Sequence, residues 1–168
     1  MKMVENMYMF TFMTVIGKVS VSEDGDGNIC GVYLPNINLP IAEDRETDVI
    51  SEAMNQIRRY FSGDRKTFDL PLSCEGTDFQ RAVWSEISKI PYGETVSYSE
   101  LAGRLGNPNS SRAVGAACGK NPLPIVVPCH RVVQASGNTG SYAGGSMMKK
   151  MLLDLEASDD DSIEERTP

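Results

Sequence analysis

Apolar side chains alternate with others at Tyr8, Phe10 and Phe12 and again at Val19 and Val21, the period of two expected of strands with one buried face. The cluster Glu23-Asp24-Gly25-Asp26-Gly27-Asn28 interrupts this pattern, and an apolar run resumes from Ile29 to Leu34, which predicts a hairpin. The period then changes. Val49, Ile50, Ala53, Met54, Ile57, Tyr60 and Phe61 recur at helical spacing with Gly63 as a stop, predicting an amphipathic helix over residues 46–62 whose aromatic end belongs to the core. Residues 66–75 contain Pro71 and show no helical period, so the chain divides into a sheet-and-helix domain at 1–70, a linker at 71–76 and a second domain at 77–156.

The second domain reads as a series of short helices. Thr77 with Gln80 forms a capping-box pattern ahead of Phe79, Val83, Trp84 and Ile87, and Pro91-Tyr92-Gly93 ends that helix. Ser97 with Glu100 repeats the pattern before Leu101, Ala102 and Leu105. Gly106-Asn107-Pro108-Asn109 then breaks the chain ahead of a helix over 110–119, and two short helices joined by such a turn are the sequence image of a helix-turn-helix. The second of the pair carries Ala113, Gly115, Ala116, Ala117 and Gly119, with Arg112 near its start. So little bulk lets the backbone approach closely, either to another helix or to a DNA groove.

A net charge of −7 argues at first against a nucleic-acid partner, but the charge is segregated. Residues 1–78 hold 7 basic and 13 acidic groups, residues 79–151 hold 8 and 3, and residues 152–168 hold 1 and 7. Only the middle segment suits phosphates. The last twelve residues, 157–168, have one large apolar side chain and are expected to be a disordered acidic tail. No apolar run reaches the ~18 residues of a membrane span, and the Met-rich start has no cleavage site, so a cytoplasmic protein is expected. Cys30, Cys74, Cys118 and Cys129 show no paired spacing and one His accompanies them, which supports neither a disulfide framework nor a metal site. Asp24, Asp26 and Asn28 mimic the opening of a calcium loop, but Ile29 stands where Gly is required and Pro35 where a bidentate Glu is required.

The strongest chemical signal is Asn121-Pro122-Leu123-Pro124-Ile125-Val126-Val127-Pro128-Cys129-His130-Arg131-Val132-Val133. It reads as a buried strand bounded by prolines that ends on a Cys and then a His. Pro128 stops pairing directly before Cys129, and cations at Arg131 and Lys120 would favour a thiolate, so the thiol is expected to titrate below the ordinary value of about 8.5. Neighbours on a strand point to opposite faces, so His130 reaches the sulfur only through a water or a turn.

With Phe79-Gln80, Val83-Trp84, Ile90 to Tyr98, Arg112-Ala113-Val114-Gly115, Asn121-Pro122, Pro128 to Val132, Ser136-Gly137, Tyr142 to Gly145, Leu152-Leu153 and Glu156 in this order, the chain closely resembles the O⁶-alkylguanine-DNA alkyltransferases. The match spans 77–156; residues 1–76 fit only in outline, as the family's variable ribonuclease-H-like domain without the zinc ligands some relatives carry. The resemblance implies an α/β chain, an antiparallel sheet with a helix followed by a helical, winged-helix-like domain. It implies DNA repair by single-turnover transfer of an alkyl group from O⁶-alkylguanine, and O⁴-alkylthymine, in duplex DNA to Cys129. His130 and Glu156 then draw off the thiol proton through a water, Asn121 steadies the turns around Cys129, and Tyr98 protonates the departing base. Arg112 fills the gap left by the flipped nucleotide. Ser97, Ala113, Gly115 and Ala116 meet the minor groove, and Tyr142, Ala143, Gly144 and Val132 wall the base pocket. No cofactor is implied, and a monomer is expected, associated with the nucleoid in a prokaryote.

Thr139 stands where many relatives carry a larger aliphatic residue and Ala143 where some carry Ser, which leaves the pocket's width open. A damage sensor without transfer activity lacks a Cys at the reactive position, whereas this chain has Cys129. A sequence-reading regulator needs Asn, Gln or further Arg side chains on the second helix. A Cys hydrolase needs a His distant in sequence, and there is none.

Overall fold

The computed structural model describes residues 6–164, with side chains through residue 158. The chain forms two compact units that divide between Glu75 and Gly76.

In the first unit, β1 (Tyr8–Thr14), β2 (Gly17–Glu23) and β3 (Ile29–Tyr33) make an antiparallel meander, and a two-residue β4 (Glu43–Asp44) adds in parallel to the far side of β1. The register sets Phe10 opposite Val21 and Phe12 opposite Val19, so the alternating residues fall on one face. Helix α1 (Asp48–Phe61) covers that face through Ile50, Ala53, Met54, Ile57 and Tyr60. Thr47 caps it by accepting from the Ile50 N–H at 3.3 Å. The β2–β3 turn is closed by Asp24, whose carboxylate accepts from the N–H groups of Asp26 and Asn28 at 2.9 and 3.0 Å. That carboxylate therefore shapes a turn, which explains the calcium-like spacing without an ion. Part of the expected linker belongs to this unit. Ile29 N–H donates to Pro71 O and Ser73 N–H to Ile29 O, so residues 71–73 bridge to β3.

The second unit contains α2 (Asp78–Ile87), β5 (Val96–Ser97), α3 (Tyr98–Arg104), α4 (Ser111–Gly119), a 3₁₀ turn (Cys129–Arg131), β6 (Val132–Val133) and α5 (Ser146–Glu164). Thr77 and Gln80 close the capping box on α2, and the Ser97 hydroxyl caps α3 by accepting from the Glu100 N–H. Glu100 does not complete a second box; its carboxylate pairs with Arg104 one turn later. Gly106, at φ +80°, makes the turn that separates α3 from α4. Trp84 donates its indole N–H to Ala117 O at 2.8 Å, fastening α2 to the C-terminal turn of α4.

Two expectations are corrected here. Residues 121–129 are not a strand: Val127 N–H returns to Leu123 O and Cys129 N–H to Val127 O, and β6 begins only after the 3₁₀ turn. Prolines at 122, 124 and 128 remove the donors a strand ladder needs, which explains the difference. Residues 157–164, expected to belong to the tail, follow on from α5, whose helical backbone runs through Glu164. The turns up to Glu156 are packed and supply the costly nucleus, after which each added residue gains a helical bond. Residues 165–168 of the expected tail lie outside the described residues.

Candidate active site

The loop ahead of Cys129 is a series of tight turns held by one side chain. Asn121 accepts from the Leu123 N–H at 2.9 Å through Oδ1 and donates through Nδ2 to Val127 O at 2.9 Å and to Cys129 Sγ at 3.0 Å. Between these anchors Ile125 sits at φ +75°, a left-handed conformation that is strained for a β-branched residue and persists only where its surroundings enforce it. The Asn thereby shapes the loop and supplies a hydrogen bond to the sulfur at once.

The 3₁₀ turn aims three consecutive side chains inward, all of them buried. Cys129 is 4% exposed and His130 fully enclosed. From α5, where Lys149, Leu152 and Glu156 follow helical spacing and face inward, the Glu156 carboxylate meets His130 Nε2 at 2.7 Å. The same carboxylate accepts from Arg131 Nε at 2.9 Å, Arg131 Nη2 at 3.1 Å and Gly93 N–H at 3.1 Å. Arg131 Nη1 donates to Ile90 O at 2.7 Å. A carboxylate paired with a guanidinium is an acceptor only, so His130 carries its proton on Nε2 and its lone pair on Nδ1. Burial holds His130 below its ordinary pKa against the pull of Glu156, which keeps the imidazole neutral and basic.

A second buried cation, Lys149, acts on Cys129. Lys149, with no exposed surface, donates to Val132 O at 2.6 Å and to Tyr98 Oη and Ser141 O at 3.3 Å each. Burial pushes the Tyr98 phenol up to about 12, so it remains a proton donor at neutral pH. Gly140, at φ +77°, brings its loop so close that a Cβ there would stand 3.1 Å from Tyr98 Oη.

The Cys129 thiol does not titrate low. A hydrogen bond with the Cys118 side chain, then burial, push it well above the ordinary thiol value, while the Asn121 amide and the Lys149 charge act in the opposite direction. The cations credited with activating it are placed otherwise: Lys120 is exposed, and Arg131 is engaged with Glu156 and Ile90. Lys149 takes that position instead, and nothing in the local sequence pattern sets it apart from Lys150.

Cys129 opens onto a cavity of about 200 Å³ lined by Cys118, Gly119, Cys129, Ser141, Tyr142 and Ala143. The Tyr142 hydroxyl is buried, with the Ile125 backbone as its polar neighbour, and its ring meets His130 edge-on, with centroids 6.4 Å apart. Gly144 and Val132 do not line this cavity; Val132 is buried in β6, where its carbonyl holds Lys149. Cys118, Gly119 and Ser141 do line it and were not anticipated. Their signal was weak, since only the turn of the loop brings them to Cys129.

On α4, Val114 and Ala117 are buried, whereas Arg112, Ala113, Ala116, Gly119 and Lys120 form one exposed face. Gly115 lies against the Tyr98 ring, where a Cβ would make ordinary contact at 3.9 Å. Ser97 is half-buried at the junction of β5 and α3. Among the described residues there is no cluster of His, Cys, Asp and Glu that could hold a metal ion, and no helix is long and apolar enough to cross a membrane.

Comparison with known proteins agrees with this arrangement in both units. Residues 78–158 match the family model described as 6-O-methylguanine DNA methyltransferase, DNA binding domain, and residues 7–74 match its ribonuclease-like domain. A methylated-DNA–protein-cysteine methyltransferase of Methanosarcina acetivorans is 41% identical over 155 residues, covering 90% of this chain and 99% of that one. The constitutive enzyme of the same description from Bacillus subtilis is 40% identical over 157 residues, covering 89% and 94%. Among solved structures, Mycobacterium tuberculosis OGT in complex with DNA superposes with a TM-score of 0.85 at 38% identity, covering 90% of this chain and 94% of that one. The chain belongs to the 6-O-methylguanine DNA methyltransferase family.

Proposed function

We propose that Cys129 is the sulfur to which this methylated-DNA–protein-cysteine methyltransferase transfers an alkyl group when it repairs DNA. The observation that carries the reading is the setting of that thiol: at the floor of a cavity, hydrogen-bonded by Asn121, beside a neutral His130 that Glu156 holds by its far nitrogen. A base oriented by a carboxylate next to a buried nucleophile is the arrangement of an activated thiol.

The substrate is O⁶-alkylguanine in duplex DNA, with O⁴-alkylthymine as a second. The α4 face enters the minor groove, its Ala113 and Ala116 allowing close approach while Gly115 and Ser97 keep Tyr98 in place. Arg112 fills the stack as the damaged base swings into the cavity against Tyr142 and Ala143, with Gly144 in the turn that follows them. Val132 acts from behind, through its carbonyl on Lys149.

The resting thiol is protonated. As the alkyl carbon approaches, one water passes the proton from Cys129 to His130 Nδ1, and the imidazolium is stabilised by Glu156. The sulfur forms its bond to the alkyl carbon while the bond from carbon to O⁶ breaks, and Tyr98 supplies a proton to the leaving guanine. Asn121 and Lys149 stabilise the negative charge on sulfur until the bond is made. A thioether has no easy route back, so each molecule acts once, as a monomer in the cytoplasm and at the nucleoid where the cell is prokaryotic.

Incubating the protein with duplex DNA containing O⁶-methylguanine tests this. The intact mass is expected to rise by one methyl group, located on the peptide that contains Cys129. A methyl on Cys118, or several repaired bases per protein molecule, overturns the assignment.

A further inference from the structure

The cavity holds a second thiol that alkyl transfer does not use. We propose that Cys118 and Cys129 are joined in a reversible disulfide when the site meets a peroxide, a modification that closes the acceptor and preserves it. Its effect on repair rests on Cys129 being the acceptor; the cross-link itself does not.

Both side chains line the same cavity, Cys118 from the last turn of α4 and Cys129 from the 3₁₀ turn. The chain reverses immediately after Cys118, where the Asn121 N–H returns to Cys118 O at 3.2 Å, and this brings residues eleven apart in sequence to the wall of one cavity. The two thiols differ in access: Cys118 is partly exposed and Cys129 is buried. They differ also in acidity. Cys129 donates to the Cys118 sulfur, which with Lys149 holds Cys118 below its ordinary value, whereas burial raises Cys30 and Cys74. Cys118 is thus the described thiol best placed to react with a small oxidant, because reactivity follows thiolate character and exposure.

The chemistry balances with hydrogen peroxide as oxidant. The Cys118 thiolate attacks one peroxide oxygen, the O–O bond breaks, and the departing hydroxide takes the Cys129 proton to become water. The Cys129 sulfur then attacks the Cys118 sulfenic acid, the S–O bond breaks, and hydroxide leaves to be protonated as a second water. Two thiols lose two electrons in all, and one peroxide is reduced to two waters. Closing the bond to about 2.05 Å draws Cys129 Sγ from Asn121, so the oxidised site loses both its nucleophile and its hydrogen bond. A resolving thiol in contact intercepts the sulfenic acid before it reaches the irreversible sulfinic state. Disulfides of this transient kind are the ones a reducing compartment tolerates.

The test uses full-length protein, a few equivalents of hydrogen peroxide and tryptic mapping without reductant. Cleavage after Arg112, Lys120 and Arg131 separates the partners, so the cross-link appears as residues 113–120 joined to 121–131 with the loss of two hydrogens. Transfer to O⁶-methylguanine DNA is expected to fall at least tenfold and to return on adding dithiothreitol. In Cys118→Ser and Cys118→Ala, each compared with its own untreated rate, the same dose of peroxide should cause at least tenfold less loss of transfer, because the buried Cys129 has lost the partner that reacts first. Absence of the joined peptide from the wild type, or an equal and dithiothreitol-reversible loss in the variants, overturns the proposal. A joined peptide with transfer unimpaired supports the disulfide and rejects Cys129 as acceptor, which separates the two readings.

Discussion

At the scale of single residues the site depends on one carboxylate, because Glu156 both orients His130 and neutralises Arg131. Replacing it with Gln leaves a buried guanidinium without a counter-charge and withdraws the support for the imidazolium that forms during proton transfer. Glu156→Gln is therefore expected to slow alkyl transfer about 100-fold, the lower end of what a positioned base contributes, with much less effect on DNA binding. The pH dependence separates this from simple loss of folding. His130 titrates below its ordinary value of 6.5 because burial disfavours its charged form, so the unfolded chain binds the proton more readily than the folded one. Its contribution to stability is complete above 6.5 and is lost as pH falls toward the folded value, and the acid limb of the transfer rate follows the same group. Removing the carboxylate makes the imidazolium still harder to form, so the acid limb in Glu156→Gln should shift to lower pH. Single-turnover rates across pH with thermal melts on the same samples measure both, and an unchanged plateau rate rejects the relay. That Asn121 meets Cys129 and Glu156 meets His130 was legible because the Pro-Cys-His-Arg string and its flanking motifs follow one another in the order of the family. Lys149 and Cys118 were not, since their roles arise from burial and from the turn of a loop, neither of which leaves a periodic trace.

Among the elements, α4 is the one proposed to meet DNA. Its buried side is fastened by Val114, Ala117 and the Trp84 indole bond, which leaves Arg112, Ala113 and Ala116 facing outward on a rigid support. If Arg112 fills the space vacated by the flipped nucleotide, its length matters only where a stack exists to be filled. Arg112→Ala should slow repair in duplex DNA at least tenfold more than reaction with the free alkylated base. Equal losses on both substrates would exclude the role, while a mere phosphate contact would weaken binding and flatten its salt dependence instead. The helices were legible from their caps and apolar spacing, and Thr77, Ser97 and Gly106 act as the pattern required. The segment before Cys129 was misread as a strand because its apolar composition is that of one, while the consequence of three prolines and the Asn121 clamp shows only in three dimensions. Two-residue strands such as β4 and β5 fall below any period a sequence window can detect.

For the whole molecule the notable quantity is the placement of charge, since a chain of net charge −7 must meet a polyanion. Residues 79–151 hold 8 basic and 3 acidic groups, and the acidic residues after them continue along α5 rather than in a loose tail. Asp159, Asp160 and Asp161 stand on backbone that is helical, beyond Glu156 on the same element. Negative charge carried on an element rooted in the DNA-binding unit repels phosphates, and such repulsion acts on damaged and undamaged duplex alike. Transfer from a flipped base is governed by the cavity, so the net effect is to suppress idle binding more than repair. Changing the three aspartates to Asn removes the charge without shortening α5. The variant is expected to bind undamaged duplex several-fold more tightly at about 20 mM salt, and the gain should fade toward about 200 mM as the Debye length shrinks. Its alkyl-transfer rate at saturating DNA should match that of the parent, because none of the three has a part in the proposed transfer. Fluorescence anisotropy with undamaged duplex over that salt range measures the effect; equal affinities at the low-salt end would mean that the acidic stretch of α5 does not act on DNA.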